Sequence, residues 1–496
     1  MSHYRDFPVL SAEEAACLIA SDATVAFSGF TPAGAAKAVP RALAASAADR
    51  RAKGEPIRLR VMTGASTGAA IDDALGNVDG IAWRTPYQSS RVLRDAINSQ
   101  QTEFLDLHLS HLPPMIDAGF LGEIDVAVVE AVEVERDGRV FLSTSVGASP
   151  TFLRHAKQVI VEVNRHHSPR LSQMHDIRLL PPITRRGHIP INHPLDRIGA
   201  PFAAVDPVKI VGIVENNEPD HVAAFHADDH ASAKIAEHIV RFLADELAKG
   251  RIPDGMLPLQ SGVGNIANAV MSAIGTSDAI PNFLMYSEVF QDALVPMMKS
   301  GRLRGASTTS LTLSDSCMDE VYDDIDFFAS RIVLRPQELT NNPGVVRRLG
   351  VISINTVLEM DIAGCANSTH VAGTQLMNGI GGSGDFTRNA YLSMLVAPSV
   401  AKGGKVSTVV PMVTHVDHNE HSVQVFVTDQ GLADLRGLGP RQRAAAIIDK
   451  CAHPQYRDYL HRYVANCPAG HIGHDLTRCF ELHRNLAETG SMLPEA

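Results

Sequence analysis

Short apolar runs alternate with longer amphipathic stretches along this chain. ATVAFSGF (23–30) predicts a strand, and AAKAVPRALAASAADR (35–50) predicts a helix with a proline in its early turns. Further strands are predicted over IRLRVMTGAS (57–66), IDVAVVEAVEV (124–134) and QVIVEVN (158–164). Strand–helix alternation of this kind predicts α/β units around a mostly parallel sheet. Between 167 and 207 prolines are frequent and periodicity is lost, which predicts a long connection. HASAKIAEHIVRFLADELAKGRIP (230–253) predicts an amphipathic helix closed by Gly250 and Pro253.

The second half repeats this grammar. GMLPLQSGVGNIANAVMSAI (255–274) reads as strand, glycine loop, helix, as do VAFSGFTPAGAAKAVPRAL (25–43) and VFLSTSVGASPTFLRHA (140–156). FVTDQGLADLRG (426–437) predicts strand, turn and short helix. The chain has 496 residues, and single cores rarely pass ~250–300. The expectation is an α/β protein of two related open α/β domains, 1–226 and 227–496.

Composition narrows the classes. Apolar residues are 45% and charged residues 20%, as in ordinary soluble proteins. A net charge of −11 argues against nucleic acid as a partner, because phosphate backbones are held by clustered Lys and Arg. It leaves room for a local basic pocket. Six scattered cysteines without C-x-x-C predict free thiols in a reducing compartment. The start, MSHYRDFPVLSAEEAACLIA, lacks a basic segment followed by a long apolar one, so no signal peptide is expected. No uncharged apolar run reaches the ~18 residues of a membrane span. The cytoplasm is the expected compartment, with no membrane partner.

Ligands of open α/β sheets collect at the carboxyl ends of strands, where loops rich in glycine carry weight. QSGVGN (260–265) is such a loop: it reads either as a tight turn or as a cradle for a phosphate or an oxyanion. MNGIGGSGDF (377–386) has four glycines within 379–384 and runs into an apolar stretch, which favours a site loop over a linker. SVAKGGKVSTVVPM (399–412) offers Lys402 and Lys405, as phosphate ligands or as a solvated turn. In THVDHNEHS (414–422), His415, His418 and His421 match no established ligand spacing, so no metal is expected. Asp429 either enters the site or only caps the short helix that follows.

PNFLMYSEVFQDALV (281–295) places Glu288 at the end of an apolar run. A lone carboxylate there is ordinarily solvated or paired. Beside loops that offer N–H groups to an oxyanion it becomes a candidate covalent nucleophile. A carboxylate is ionised at neutral pH and needs no partner base, which suits attack on a thioester.

The set LPLQSGVGN, YSE, NNPGVVRRLG (341–350), NSTHVAGTQLMNGIGGSGDF (367–386), AKGGK and VTDQGLADLRG, with SGFTPAG and TGASTG near the start, resembles the acetyl-CoA hydrolase/transferase family of class I CoA-transferases. The resemblance covers essentially the whole chain and is greatest to the bacterial propionyl-CoA:succinate and succinyl-CoA:acetate branches. It implies two CoA-transferase-type α/β domains with the active site between them, and a homodimer. It implies acyl-CoA and small carboxylates as partners, with coenzyme A as substrate and covalent intermediate and no tightly bound cofactor. It implies that Glu288 attacks an acyl-CoA to give an acyl-glutamyl anhydride and then a glutamyl-CoA thioester. Val263 and Gly382 would donate backbone N–H groups to the oxyanion, and Asn341 would stand near the nucleophile. Gly262, Val263, Gly264, Asn265, Ile266, Asn378, Gly382 and Lys402 would contact CoA, with Ser66 and Ser89 near the acyl pocket.

Two positions depart from the family pattern. Asp429 stands where the family commonly has Glu, so no catalytic role is assigned to it. Glu215 stands where the succinyl-CoA:acetate branch tends to have Arg and the propionyl-CoA:succinate branch has Glu, which places it with the substrate pocket and favours propionate or acetate exchange with succinate. Two alternatives stay open: an acyl-CoA hydrolase using the same glutamate, and a non-catalytic CoA- or metabolite-sensing module.

Overall fold

The computed structural model describes residues 6–222 and 230–493. The chain divides into two compact units, one of Met1–Ala224, Met285–Lys299 and Arg304–Leu349, the other of Phe225–Leu284, Ser300–Leu303 and Gly350–Ala496. The expected boundary between 226 and 227 lies outside the described residues. The segment bearing Glu288, expected with the second domain, is grouped with the first unit.

The first unit is built on nine strands: β1 (Thr24–Phe27), β2 (Leu59–Met62), β3 (Ile81–Thr85), β4 (Glu103–Phe104), β5 (Val126–Val134), β6 (Arg139–Leu142), β7 (Gln158–Asn164), β8 (Ala203–Ala204) and β9 (Ile210–Asn216). Seven run parallel in the order β4-β3-β2-β1-β5-β7-β9. Strand β5 is long enough to serve two partners, β7 and β6, besides β1. Its residues 126–131 pair with β7, and its far end turns to β6 in antiparallel register. The inner strands are buried on both faces, which is why VAVVEAVEV and QVIVEVN read as near-continuous apolar runs.

The carboxylates inside those runs have work at the sheet edge. Helix Ala38–Ala52 has no capping side chain of its own. Glu162 of β7 caps it instead, accepting from the backbone N–H groups of Lys37 (2.8 Å), Ala38 (3.0 Å) and Val39 (2.7 Å). These are the donors that a helix start leaves unpaired, and an anion suits that end of the dipole. Pro40 sits in the same first turn, where its missing N–H costs nothing. Val39, Leu43 and Ala47 then pack on the sheet at helical spacing.

In the second unit, Leu259–Ser261, Ile352–Thr356, Leu392–Val396 and Val425–Thr428 pair in parallel. Gly431–Asp434 closes the edge antiparallel to Val425–Thr428. The short helix expected after Asp429 is therefore a strand, because Asp429-Gln430 makes a two-residue hairpin loop and Val427 pairs with Leu432. The predicted 230–253 helix spans His230–Ala248 and ends before Gly250, whose φ of +66° suits glycine. Ser232, Ile235, Ala236, Ile239 and Leu243 form its buried stripe. All six cysteines are free. Among the described residues no helix is long and apolar enough to cross a membrane.

Candidate active site

Strand order in the first unit reverses between β1 and β5, and open α/β sheets bind ligands outside the carboxyl ends of strands at such a point. The loops leaving β1, β2 and β3 are SGFTPAG, TGASTG and TPYQSS. Phe30, Ala65 and Tyr87 from these three loops, with Leu109 beyond β4, gather around Val289, the residue after Glu288. Thr31, a β-branched residue, holds a left-handed φ of +62° and shares a hydrogen bond with the Thr312 hydroxyl. Buried Arg84 braces two of the loops. It pairs with Asp72 at 2.9 Å and donates to the Ala65 carbonyl at 3.1 Å, while Asp72 accepts from the Thr67 N–H. Ser66 and Ser89 meet hydroxyl to hydroxyl at 2.6 Å.

Glu288 does not end a strand facing water. It lies between two short strands, Phe283–Tyr286 and Val289–Gln291, the second of which pairs with Ser310–Thr312. Its carbonyl accepts three hydrogen bonds: from Thr309 N (2.9 Å), Ser310 N (3.2 Å) and the Thr308 hydroxyl (2.7 Å). Its carboxylate Oε1 accepts from the Asn341 side-chain amide at 2.6 Å. Asn341 is fully buried, and the Thr340 hydroxyl donates to its Oδ1 at 2.9 Å, which turns its NH₂ toward the carboxylate. Tyr286 anchors the same turn through its hydroxyl to the Leu339 carbonyl (2.6 Å). Arg335, also fully buried, bonds the Ser307 hydroxyl and ion-pairs with Asp176. The polypeptide thus fixes both the backbone and the side chain of Glu288.

Sequence reasoning missed the hydroxyl run Thr308-Thr309-Ser310, although three buried hydroxyls in a β-patterned stretch were a signal. It also missed a buried ion cluster. The Lys37 ammonium lies 2.5 Å from Glu130 and 2.9 Å from Asp220, and His167 Nε2 lies 3.4 Å from Asp220. Burial pulls the Lys37 and His167 pKa values down, but the two carboxylates outweigh it and hold both groups above their ordinary values. This cluster ties the loop after β1 to β5 and to the chain beyond β9. Glu215 is half exposed, with its carboxylate 3.4 Å from Arg165.

In the second unit, Leu259–Ser261 runs into Gly262-Val263-Gly264 and then helix Asn265–Thr276. Gly264 has φ +117° and ψ −178°, a conformation open essentially to glycine alone. Gly262 N donates to the Ile354 carbonyl (3.0 Å), and the amides of Gln260 and Asn355 pair mutually beneath the loop. Val263, an apolar residue, is 45% exposed at the tip. Gly382 is buried and opens helix Ser383–Asn389. Lys402, with φ +49°, begins the turn of the Val400–Ala401/Val406–Ser407 hairpin and is exposed. Asp429 ties strand ends together, accepting from the Ser399 backbone (2.5 Å) and hydroxyl (3.0 Å) and from Gln430 (2.7 Å). Burial raises its pKa, but these donors prevail and hold it below the usual range. His415, His418 and His421 do not converge. His415 stacks on His370, His418 is buried beside Ser383, and His421 is 83% exposed next to Glu420.

The family model of the acetyl-CoA hydrolase/transferase N-terminal domain matches residues 2–215, and that of the C-terminal domain matches 318–464. The chain belongs to the acetyl-CoA hydrolase/transferase family. It is 54% identical over 484 residues to the propanoyl-CoA:succinate CoA transferase of Escherichia coli K12, covering 98% of both chains. It is 42% identical to the succinyl-CoA:acetate CoA-transferase of Clostridium kluyveri, covering 98% of this chain and 90% of that one. It is 40% identical to the acetyl-CoA hydrolase of Schizosaccharomyces pombe, covering 94% and 92%. RipA from Yersinia pestis shares the fold at TM-score 0.70 and 25% identity, over 92% of this chain and 96% of that one. A 4-hydroxybutyrate CoA-transferase from Porphyromonas gingivalis shares it at TM-score 0.63 and 22% identity, over 93% and 98%. This family of enzymes has the two-domain α/β fold of CoA-transferases, as the sequence led us to expect.

Proposed function

We propose that this enzyme moves coenzyme A between a short acyl-CoA and a small carboxylate, with Glu288 as the covalent carrier. The observation that carries the reading is the double fixation of Glu288: three donors on its carbonyl and the Asn341 amide on its carboxylate. A nucleophile so held loses little orientational freedom on reaching the reactive geometry.

The steps balance without an added acid or base. The Glu288 carboxylate attacks the thioester carbonyl of the acyl-CoA, the C–S bond breaks, and an acyl-glutamyl anhydride and CoA thiolate result. The thiolate attacks the glutamyl carbonyl, which releases the first carboxylate and leaves a glutamyl-CoA thioester. The acceptor carboxylate attacks that thioester to form a new anhydride, and the expelled thiolate takes the new acyl group and frees Glu288. Backbone N–H groups of Val263 and Gly382 stabilise the oxyanion of each tetrahedral species. Gly262 through Ile266, Asn378 and Lys402 hold CoA, with Ser66 and Ser89 near the acyl group. The relatives that act on propanoyl-CoA and succinate support propionyl, acetyl and succinyl as the acyl groups, and Glu215 favours propionate or acetate exchange with succinate. The reading includes a cytoplasmic homodimer, which light scattering checks for subunit number.

Incubation with acetyl-, propionyl- or succinyl-CoA alone, followed by intact-mass measurement, is expected to show a CoA adduct that maps to Glu288. Absence of the adduct, with full activity in Glu288→Ala, sinks the assignment. The hydrolase names among fungal relatives favour a second reading, in which water intercepts the intermediate. If turnover of one acyl-CoA is unaffected by any added carboxylate while free CoA accumulates, hydrolysis is the activity.

A further inference from the structure

His418 is 3% exposed and belongs to none of the groups assigned above. Its main chain is clamped to Ala366 in both directions, with Ala366 N to His418 O at 2.8 Å and His418 N to Ala366 O at 3.0 Å. Its ring Nε2 lies 3.3 Å from the Ser383 hydroxyl. That hydroxyl donates to the Ile380 carbonyl at 2.9 Å, and the same carbonyl accepts from Ser383 N at 3.3 Å.

The single hydroxyl proton of Ser383 is therefore spent on Ile380, and the imidazole must supply the proton of the His418–Ser383 bond. The result is a relay from His418 Nε2–H to the Ser383 oxygen to the Ile380 carbonyl, closed around Gly381 and Gly382. Gly381 has a left-handed φ of +56°, a conformation that suits glycine, and neither glycine has a side chain to bond its neighbours. The neighbouring Asp417 braces the other end of the same motif. Its carboxylate accepts from Ser368 N (2.6 Å) and from the Thr369 hydroxyl (2.9 Å), and Thr369 O accepts from Met377 N (2.7 Å), the residue before Asn378.

We propose that His418 is a positioning residue for the oxyanion donor, setting the direction of the Gly382 N–H through Ser383, with Asp417 as its companion on the strand of chain that leads to Asn378. The inference rests on the transferase reading, in which Gly382 is a donor. Direction matters because such a donor acts only where charge develops, so a misaimed N–H weakens the transition state more than it weakens substrate binding.

The test uses the full chain with His418→Ala, His418→Gln, Ser383→Ala and the double variant His418→Ala/Ser383→Ala. The readouts are kcat, KM for acyl-CoA, the single-turnover rate of CoA-adduct formation, and Tm. His418→Ala and Ser383→Ala are each expected to slow adduct formation and kcat by about tenfold or more, with KM changed less than about twofold. The double variant is expected to be no slower than the worse single variant, because both act through one relay. His418→Gln, whose amide N–H can replace the imidazole donor, is expected to recover part of the rate. Adduct formation in His418→Ala within about twofold of the parent overturns the inference, as does a double variant whose losses multiply. Equal loss in His418→Gln and His418→Ala, tracking Tm, also overturns it by showing a packing role alone. Failure of the transferase reading looks different: the parent enzyme itself forms no adduct, or Glu288→Ala keeps full activity.

Discussion

In the first unit Glu288 is held by main-chain and side-chain donors together, whereas in the second unit the turns at 262–264 and 380–383 present mostly main chain and are braced from behind. The Glu288 carbonyl is pinned by Thr308, Thr309 and Ser310, and its carboxylate by Asn341. The glycine turns take their shape from backbone conformations, φ +117° at Gly264 and φ +56° at Gly381, and from partners behind them such as the Gln260–Asn355 amide pair. A nucleophile must present one side chain in one direction, so it is fixed by contacts. A donor loop must bring N–H groups close to a ligand, so it is bare of side chains on that face and braced by partners behind it. The two regions should therefore fail in different ways.

The largest effect is expected at the proposed nucleophile. Glu288→Ala should lower transfer by on the order of 10⁴-fold or more and abolish the CoA adduct, since removal of a covalent nucleophile costs losses of that scale. Steady-state assay with intact mass checks it. Next comes Asn341→Ala, which leaves Glu288 chemically intact but unaimed. It should lower kcat by about 10²-fold, as loss of one positioned donor does, with adduct still detectable at long times.

The glycine side of the comparison predicts a different signature. A Cβ at Gly264 would meet nothing within 4 Å, so Gly264→Ala tests backbone strain without steric clash. The strain is about 1–3 kcal/mol, and the loop is expected to relax away from the ligand geometry. KM for acyl-CoA should rise about tenfold, while adduct formation at saturating substrate falls less than in Asn341→Ala. An equal fall in both variants would erase the distinction drawn here.

The smallest effect concerns the frame behind Asn341. Burial pushes the Glu338 carboxyl up to about 7 against the pull of Arg186, whose guanidinium is 3.1 Å away. An unfolded glutamate titrates near ~4.3, so between these values the native state holds a proton that the unfolded chain lacks. Stability therefore falls as pH rises through that window. Glu338→Gln should flatten the dependence of Tm on pH between about 5 and 7, by on the order of 1–3 kcal/mol. Calorimetry across that range checks it.

Much of the fold was legible because the parallel strands are buried on both faces, so runs such as VAVVEAVEV announce themselves locally. Strands β3 and β4 were not, since IAWRT and EF carry too few apolar positions to stand out. Gly431–Asp434 was read as helix because GLADL has helical composition, and only its pairing with Val425–Thr428 makes it a strand. On the site, glycine density pointed to 262–264 and 379–384, and family motifs pointed to Glu288 and Asn341. What stayed hidden depends on distant partners. Lys37 and Asp220 are 183 residues apart, and nothing near Lys37 foretells a buried ammonium. His418 looked like a member of a histidine cluster, and its distinction comes from Ser383, 35 positions earlier.

The first unit is discontinuous in the chain, taking 285–299 and 304–349 after the second unit has begun. During synthesis the β–α repeats of 24–216 emerge early, yet the turn that aims Glu288 ends near Leu349 and leaves the ribosome much later. Domains generally fold as units in order of synthesis, and here the first unit must wait for chain that follows part of the second. A gene cut near codon 226 would yield two fragments, neither of which holds both β1 and Glu288. A nascent chain stopped short of that point holds β1 but lacks part of the frame around Glu288, the proposed nucleophile.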